Sequence, residues 1–301
     1  MNKVSIIVVN HNAGAELADV VHAALAEAPQ GELVMVDNAS TDGSLATLLK
    51  RCGEDGRLQV VRLTGNVGFG RAINAVAPWC RGEWLLLLNP DCLLHPGALT
   101  QCLAALQAHP EAAMAGGLLR NPDGSEQRGC RRRLPRPASA LAFLWGRLLG
   151  RRTVRDFNLT GQPLPPGPVA VEAISGAFML VRREVFLALG GFDPGYFLHG
   201  EDLDLCLRLG QLGHGILFVP QAEATHAQGR CSVGRPFFVA WHKHRSMLRY
   251  YALHLARHDP WPLRLAVPLG IVLHGALAMA LLARHRLMQR LAPRHQARAL
   301  P

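Results

Sequence analysis

Short apolar segments alternate with helical patterns through the first 90 residues, and this alternation most constrains the fold. Each segment is apolar along nearly its whole length instead of at every second position, which indicates strands that are buried on both faces. Helical patterns between the strands are typical of a parallel sheet covered on both sides. We therefore predict an α/β fold. The predicted strands are Val4 to Val9, Glu32 to Asp37, Leu58 to Leu63 and Glu83 to Asn89.

Polar residues follow three of these strands, at the edge of a parallel sheet where ligands usually bind. The stretches are "NHN" from Asn10, "DNASTDGS" from Asp37 and "NPDC" from Asn89. A capping box without a ligand explains the second stretch, and an ordinary turn explains the third. His226 follows a later apolar segment, and an isolated histidine is more often structural than a ligand. These residues indicate a site only if the strand ends converge.

Three carboxylates lie within four positions in "FLHGEDLDLCLRLG", Phe197 to Gly210. Acids in the first turn of a helix interact favourably with its unpaired N–H groups and its dipole. Asp204 can also pair with Arg208, four residues later on the same helix face. Glu201 and Asp202 are then the candidates for chemistry.

Positive charge is concentrated in two places, although the formal net charge of the whole chain is +10. The chain from Arg245 onwards contains nine arginines and one acid, and a second basic run, "RGCRRRLPRP", begins at Arg128. Only 6% of the residues are aromatic, and no helix-turn-helix, finger or stacking pattern is present, so we expect no specific nucleic-acid binding. An anionic membrane surface is the better match for these charges.

A stretch of 19 residues without formal charge, Leu265 to Ala283, approaches the length of a membrane span. One proline, two glycines and a histidine within it weaken that interpretation, so an interfacial helix, a buried helix and a dimer contact stay open. The apolar run before Asn10 is too short for a signal-peptide core. We expect a cytoplasmic protein that is peripheral on the cytoplasmic face of the inner or plasma membrane.

Two regions are predicted from these patterns. Residues 1–250 form one domain, in which 120–170, rich in Arg, Pro and Gly, is a flexible basic insertion. Residues 251–301 form a basic and apolar helical tail that associates with membranes.

A series of motifs, in order along roughly the first 250 positions, makes the chain resemble a known family. The chain resembles family 2 glycosyltransferases of the GT-A fold, and within them the bacterial rhamnosyltransferase-like group. The resemblance implies a Rossmann-like mixed sheet of the nucleotide-diphospho-sugar transferase type, with the helical tail as an appendage. The motifs are "VSIIVVNHN", "VMVDNASTDGS", "GNVGFGRAINAV", "LLLLNPDC", "SGAFMLVRREVFLALGGFD", "FLHGEDLDLCLRLG" and "THAQGRCS".

The resemblance also implies a set of residues that bind the nucleotide of a sugar donor. Asp37, beside Asn38, reads the base, and Arg71 makes a basic contact to the nucleotide. The full set is Val9, Asn10, Asp37, Asn38, Arg71 and Asn89.

A divalent metal ion is implied because a nucleoside diphosphate leaving group needs its charge neutralised. Asp91 resembles the last acid of the D-x-D metal motif, and His226 is the neutral ligand. The motif here is "NPD", so one acid of the family pattern is missing. Oxygen ligands favour Mg2+ or Mn2+, and an imidazole ligand favours Mn2+ somewhat.

The same resemblance assigns the acceptor side of the site. Asp202 is the base that takes the proton of the acceptor hydroxyl, and Glu201 orients loop or acceptor groups. Gly176 and Ala177 form the acceptor-side wall, and a plain core strand with a tight turn is the competing explanation of that segment.

We therefore expect an inverting, metal-dependent glycosyltransferase that transfers a sugar from a nucleoside-diphosphate sugar, with dTDP-rhamnose favoured. The expected acceptor is a hydroxyl of a polyprenyl-linked or other lipid-linked glycan, or of a cell-surface glycan. Alternatives are a UDP-sugar enzyme of a neighbouring branch and a non-catalytic basic module that binds membrane surfaces. A nucleotidyltransferase would carry a Gly-rich phosphate loop with Lys or Arg soon after the first strand, and "VNHNAGAELADV" has neither.

Overall fold

The computed structural model describes residues 4–136, 157–227 and 235–291, and the chain divides into two compact units. The first unit is Met1–Cys231 and the second is Ser232–Pro301. The second unit begins before the predicted boundary at residue 250 because helix Pro236–Tyr250 packs against helix Trp261–Leu291.

The first half of the main sheet is parallel and alternates strictly with helices. Its strands lie in the order β3-β2-β1-β4, with all neighbours parallel. Alternate residues of β1 enter two separate core clusters, which explains why the whole strand is apolar. The elements are β1 Val4–Asn10, α1 Leu17–Glu27, β2 Glu32–Asp37, α2 Ser44–Cys52, β3 Leu58–Arg62, α3 Phe69–Val76 and β4 Trp84–Leu88, with a short 3-10 turn at Ala77–Trp79.

The second half makes the sheet mixed, as the resemblance implies. The order continues β4-β10-β6-β11-β5, in which β10 is antiparallel to both β4 and β6. Helices α1, α2 and α4 cover one face, and α3, α5 and α6 cover the other. The remaining elements of the first unit are β5 Cys92–Leu94, α4 Ala98–Ala108, β6 Ala112–Arg120, β7 Arg131–Arg132, β8 Val169–Ala170, β9 Ala173–Ile174, β10 Phe178–Arg182, α5 Arg183–Ala188, α6 Glu201–Gln211 and β11 Gly215–His226.

The apolar segment of the sequence ends at Pro220, but strand β11 continues past it to His226. Its pairing with β6 shifts between Val219 and Glu223, so Pro220 lies in a bulge that needs no ladder donor. A Cβ atom on Gly117 would lie 2.0 Å from the Ala222 carbonyl oxygen, so the bulge requires glycine on the neighbouring strand. The bulge lets one strand carry His226 to the edge of the sheet beside β5.

Described parts of the predicted insertion at 120–170 are folded into the first unit. Strand β7 pairs with β9, and Arg131 Nε donates to Glu126 Oε1 at 2.8 Å. The Arg131 guanidinium also lies over the Phe218 ring, 5.3 Å from its centroid. Two arginines of the basic run, Arg131 and Arg132, are therefore internal, and the expectation that this run meets a membrane surface does not hold for them. Residues 137–156 of the predicted insertion lie outside the described residues.

The second unit is helical. It contains α7 Pro236–Tyr250, a π-helical turn Tyr251–Leu255, a 3-10 turn Ala256–His258 and α8 Trp261–Leu291. A 28-residue part of α8, Trp261–Met288, is long and apolar enough to cross a membrane, with a mean hydropathy of 2.2 over its most apolar window. Pro268 lies inside this helix without ending it. Large apolar side chains are exposed along it: Trp261, Leu265, Leu269, Val272, Leu273, Leu277, Leu281, Leu287 and Met288.

Candidate active site

The carboxyl ends of β1 and β2 lie side by side, and Asn10 pairs with Asp37 in the parallel register. Asn10 Nδ2 donates to Asp37 Oδ1 at 3.0 Å and to Ser44 Oγ at 2.9 Å. Its Oδ1 accepts from the Ala13 N–H at 3.2 Å. Asn10, Asp37 and Ser44 are all buried, and buried polar groups are stable only when they are hydrogen-bonded. This network fixes the start of α2 against the end of β1.

Asn38 ties a third segment to these strand ends. Its Nδ2 donates to Asn66 Oδ1 at 3.0 Å, and its Oδ1 accepts from the Val67 N–H at 2.9 Å. Its own backbone N–H donates to the Asn10 carbonyl oxygen at 2.8 Å. The loop "GNVGFG" is therefore held beside Asp37.

Two residues of the predicted nucleotide set have additional structural contacts. Val9 is 5% exposed and belongs to a core cluster with Val36 and Ile73. Arg71, which is exposed, donates from Nε to the Pro194 carbonyl oxygen at 2.7 Å. This bond uses one edge of the guanidinium, and no bond to the Arg71 Nη atoms is found within the described residues. Nucleotide contacts by Val9 and Arg71 stay predictions.

Asp91 and His226 lie together at the ends of β4 and β11. Antiparallel pairing places His226 opposite Cys92, the residue after Asp91. Asp91 Oδ1 lies 3.1 Å from His226 Nε2, and Asn89 Nδ2 lies 3.3 Å from the same nitrogen. Asp91 and His226 are 7% and 5% exposed. The structure thus brings the two predicted metal ligands into contact.

Gln127 determines which nitrogen of His226 carries a proton. Its Nε2 donates to the His226 carbonyl oxygen and to Asn121 Oδ1, each at 3.0 Å. Gln127 Oε1 therefore accepts, and His226 Nδ1, 2.6 Å away, is the protonated nitrogen. A neutral ring then presents the Nε2 lone pair to Asp91 Oδ1, and two acceptors face each other unless a cation or a proton lies between them.

The described residues contain no group of three or more His, Cys, Asp or Glu side chains that could hold a metal ion. Among the described residues, a cation bound at Asp91 and His226 would therefore have at most these two as ionisable ligands. Phosphate and water oxygens would complete its coordination.

Asp202 lies in the first turn of α6 and is held by three donors. Its Oδ2 accepts from Arg132 Nη2 and from the Gly176 N–H at 3.3 Å, and its Oδ1 accepts from the Leu203 N–H at 2.8 Å. Burial raises the pKa of Asp202, but the charge and hydrogen bond of Arg132 and the two N–H groups outweigh burial, so this pKa lies below its ordinary value. Arg132, which the sequence did not identify, is thus a main reason why Asp202 is ionised.

Glu201 has the opposite environment. It is 8% exposed, and its Oε2 has no hydrogen-bond partner in the described part of the chain. Burial, followed by the negative charge of Asp202, raises the pKa of Glu201 to about 8. Two adjacent carboxyls therefore differ at neutral pH, with Glu201 protonated and Asp202 ionised.

The segment Ser175–Ala177 connects the two clusters. The Ala177 carbonyl oxygen accepts from the Asn89 N–H at 3.0 Å, and a Cβ atom on Gly176 would lie 3.2 Å from Asp202 Cβ. The turn that carries Asp91 and the helix that carries Asp202 are therefore on either side of one short segment. Gly176 is placed against the carboxylate itself, a close approach that the sequence could not specify.

The chain is similar to proteins of one known family. The profile of "Glycosyl transferase family 2" matches residues 5–189, more than half of the chain. The chain belongs to glycosyl transferase family 2. The match ends before α6, so Asp202 and His226 lie outside it.

Curated relatives of this family 2 glycosyltransferase extend the similarity further. The chain is 31% identical over 263 residues to an "N-acetylglucosaminyl-diphospho-decaprenol L-rhamnosyltransferase" of Mycobacterium tuberculosis, covering 82% of this chain and 81% of that protein. It is 30% identical over 200 residues to "Rhamnosyltransferase WbbL" of Escherichia coli K12, covering 62% and 71%.

Solved structures support the GT-A fold of the family 2 glycosyltransferase. A mannosyltransferase from Pyrobaculum calidifontis, in complex with GDP-Man and Mn2+, matches with a TM-score of 0.58 at 18% identity, covering 95% of this chain and 80% of that one. GalNAc-T7 with UDP, GalNAc and Mn2+ matches with a TM-score of 0.58 at 21% identity, covering 75% of this chain and 44% of that one. At these identities the likeness shows the fold, and the predicted fold class is confirmed.

Proposed function

We propose that this glycosyltransferase transfers a sugar, with inversion, from a nucleoside-diphosphate sugar to a hydroxyl of a lipid-linked glycan, with Asp202 as the base. The observation that carries the proposal is the ionised Asp202 at the start of α6, joined through Gly176 and Ala177 to the turn of Asp91. A single base on the acceptor side suits one displacement at the anomeric carbon, which inverts its configuration.

The nucleotide is assigned to the edge where β1 and β2 end. Asp37 and Asn38 are fixed there by Asn10 and Asn66, so their carboxylate and amide groups are already oriented. Arg71 adds positive charge at the start of α3, where a diphosphate would be attracted. Asn89, between this edge and His226, completes the predicted set.

A divalent ion, Mg2+ or Mn2+, fits between Asp91 and His226 because the unprotonated Nε2 and a carboxylate oxygen face each other. Asp91 and His226 would hold the ion, and Gln127 would keep the ring oriented from behind. The ion would neutralise charge on the leaving diphosphate. The chain's own residues fix the ring, present the carboxylate and keep Asn89 beside them.

For the donor we favour dTDP-rhamnose, because both curated relatives described above are named as rhamnosyltransferases. Thymine and uracil differ by one methyl group, worth about 0.8 kcal/mol when buried, so contacts to the base give weak selectivity. Sugar contacts must supply the rest. Competition between dTDP-rhamnose and UDP-sugars in one transfer assay measures this selectivity, and a preference for a UDP-hexose would refute the choice of donor.

The lipid-linked acceptor is proposed from the relative whose name specifies a diphospho-decaprenol substrate. Helix α8 supports it, because an exposed apolar helix of 28 residues suits insertion at or across a membrane. Basic residues of the second unit, including Arg249 and Arg264, suit anionic lipid head groups. We therefore propose a protein at the cytoplasmic face of the membrane, where its acceptor is anchored.

Asp202→Asn tests the proposed function. Asparagine keeps the shape and can still accept from Arg132, but it lacks a basic carboxylate, so the rate of transfer should fall about 100- to 10,000-fold. Binding of the nucleoside diphosphate should be unchanged in calorimetry. The control is Glu184→Gln on α5, an exposed carboxyl with 76% of its side chain accessible. An Asp202→Asn enzyme with more than about a tenth of the normal rate would refute the base.

A further inference from the structure

Arg132 is a buried cation that has no role in the function proposed above. Its side chain and that of Asp202 are each 14% exposed, and its Nη2 donates both to Asp202 Oδ2 and to the Ile174 carbonyl oxygen at 2.9 Å. Pairing of β7 with β9 places Arg132 opposite Ala173, so backbone contacts fix where the guanidinium lies. Burying a guanidinium costs free energy, and its two hydrogen bonds give it a defined geometry.

The hydrogen bonds of Asp202 distinguish its two oxygens. Oδ2 accepts two bonds, from Arg132 and from the Gly176 N–H, whereas Oδ1 accepts one, from the Leu203 N–H. A carboxylate has about four lone-pair sites, so the available site is on Oδ1. Oδ1 is also the more basic oxygen, because the guanidinium bond is made by the other one.

Glu201 shows what this position does to a carboxyl that lacks such a bond. Glu201 precedes Asp202 in the same helix turn and is buried. Its Oε2 has no hydrogen-bond partner in the described residues. The pKa of Glu201 is raised to about 8 by burial and by the charge of Asp202. Without a hydrogen-bonded cation, Asp202 would lie in an environment of the same kind.

We propose that Arg132 is a positioning residue of the transfer reaction, which keeps the Asp202 carboxylate ionised and directs its Oδ1 at the acceptor hydroxyl. The proposal rests on the proposed role of Asp202 as the base. The acceptor O–H gives its proton to Oδ1, and the acceptor oxygen forms the bond to the anomeric carbon. The bond from that carbon to the diphosphate oxygen breaks, and its electron pair leaves with the nucleoside diphosphate.

The charged and titratable groups around Asp202 set the direction of the pH effect. Arg132 faces it from β7, and Glu201, Asp204 and Cys206 interact with this cluster from α6 itself. Arg132 is the cation among them, so its removal raises the pKa of Asp202. Activity requires the ionised base, and the acid limb of the pH profile must then move to higher pH.

The test is the pH profile of kcat/KM for Arg132→Gln and Arg132→Lys, with Arg133→Gln as the matched loss of an adjacent positive charge. Arg132→Gln should move the acid limb upward by about 1 to 3 pH units and lower kcat, while KM for the donor stays unchanged. Arg132→Lys keeps the charge and should return the acid limb most of the way to its wild-type pH. Its kcat should stay reduced, because an ammonium on a flexible stem of different length does not hold Oδ2 in the same position. Arg133→Gln should leave the profile unchanged.

A folded Arg132→Gln enzyme with an unmoved acid limb would overturn the proposal. If that variant does not fold, Arg132→Lys decides, and a kcat equal to that of the wild type would overturn it. The Asp202→Asn variant separates the two levels. An inactive Asp202→Asn together with an unmoved limb in Arg132→Gln refutes only the role of Arg132, whereas an active Asp202→Asn refutes the base itself.

Discussion

Replacing Glu201 with Gln should make the stability of the protein less dependent on pH. The carboxyl is buried without a partner for Oε2 in the described part of the chain, and its pKa is raised from 4.5 to about 8. Glutamine has nearly the same shape and is neutral at every pH. The variant therefore imitates the protonated residue and removes its titration.

The magnitude follows from the two pKa values. Between pH 4.5 and about 8 the native state holds a proton that the unfolded state has released, so the free energy of unfolding falls as pH rises. The stabilising contribution of the protonated carboxyl is complete below the unfolded pKa. It declines between the two pKa values and is lost above the folded pKa. A difference of about 3.5 pH units at about 1.4 kcal/mol each gives about 5 kcal/mol. The free energy of unfolding of Glu201→Gln should therefore exceed that of the wild type by an amount that grows to about 5 kcal/mol as pH rises from 4.5 to about 8.

Urea unfolding at several pH values from 4.5 to 8.5 measures the effect, with the free energy of Glu201→Gln compared with that of the wild type at each pH. The control is Glu54→Gln, an exposed carboxyl that follows α2, for which the difference should not change with pH. If the difference between Glu201→Gln and the wild type is constant across the window, Glu201 is ionised in the folded protein and our account of it is wrong.

Three further predictions concern other parts of the molecule. Asp91→Ala or His226→Ala should abolish the gain in nucleoside diphosphate affinity that Mn2+ gives in calorimetry, and an undiminished gain in both would refute the site. Arg208→Met should cost about 3–5 kcal/mol in urea unfolding, because Asp204, 1% exposed, would lose its ion pair; a loss below about 1 kcal/mol would contradict this. Deletion after Leu255 should release the protein from anionic vesicles in flotation, whereas full-length protein that never floats would refute the membrane proposal.

Much of the fold was predictable because its signals are local. Strands β1 and β2 agree with the predicted segments nearly to the residue, since a strand buried on both faces is apolar throughout. The pair of Asp204 and Arg208 was predicted from their spacing and is confirmed, with Arg208 Nε 2.7 Å from Asp204 Oδ2. Both inferences need only one element of secondary structure.

The parts that were missed depend on distant segments. Arg132 is 70 residues from Asp202 and Gln127 is 99 residues from His226, and neither has a local pattern that predicts a partner. Arg132 was visible only as one charge in a basic run, which a solvated surface explains equally well. Its position depends on the pairing of β7 with β9, and that pairing is too short to leave a signal in the sequence.

Helix α3 supports the segment that leads into α6. Asn74 Nδ2 donates to the Phe192 carbonyl oxygen at 2.7 Å, and Asn74 Oδ1 accepts from the Phe192 N–H at 2.9 Å. Gly68 has a φ of +90°, and a Cβ atom there would lie 2.6 Å from the Phe197 carbonyl oxygen. The loop that contains Gly68 therefore touches the segment that precedes α6 directly, and only glycine permits the approach.

The chain then enters α6 through two successive residues with left-handed backbone angles, His199 with a φ of +64° and Gly200 with a φ of +88°. Glycine adopts this conformation freely, but histidine does so at a cost of about 1–2 kcal/mol. Such a conformation persists only where the surroundings determine it, and here α3 fixes the preceding residues. Asp202 follows within two residues of this turn. Its carboxylate is therefore positioned from two directions, by the α3 contacts that set where α6 begins and by the Arg132 guanidinium that holds Oδ2.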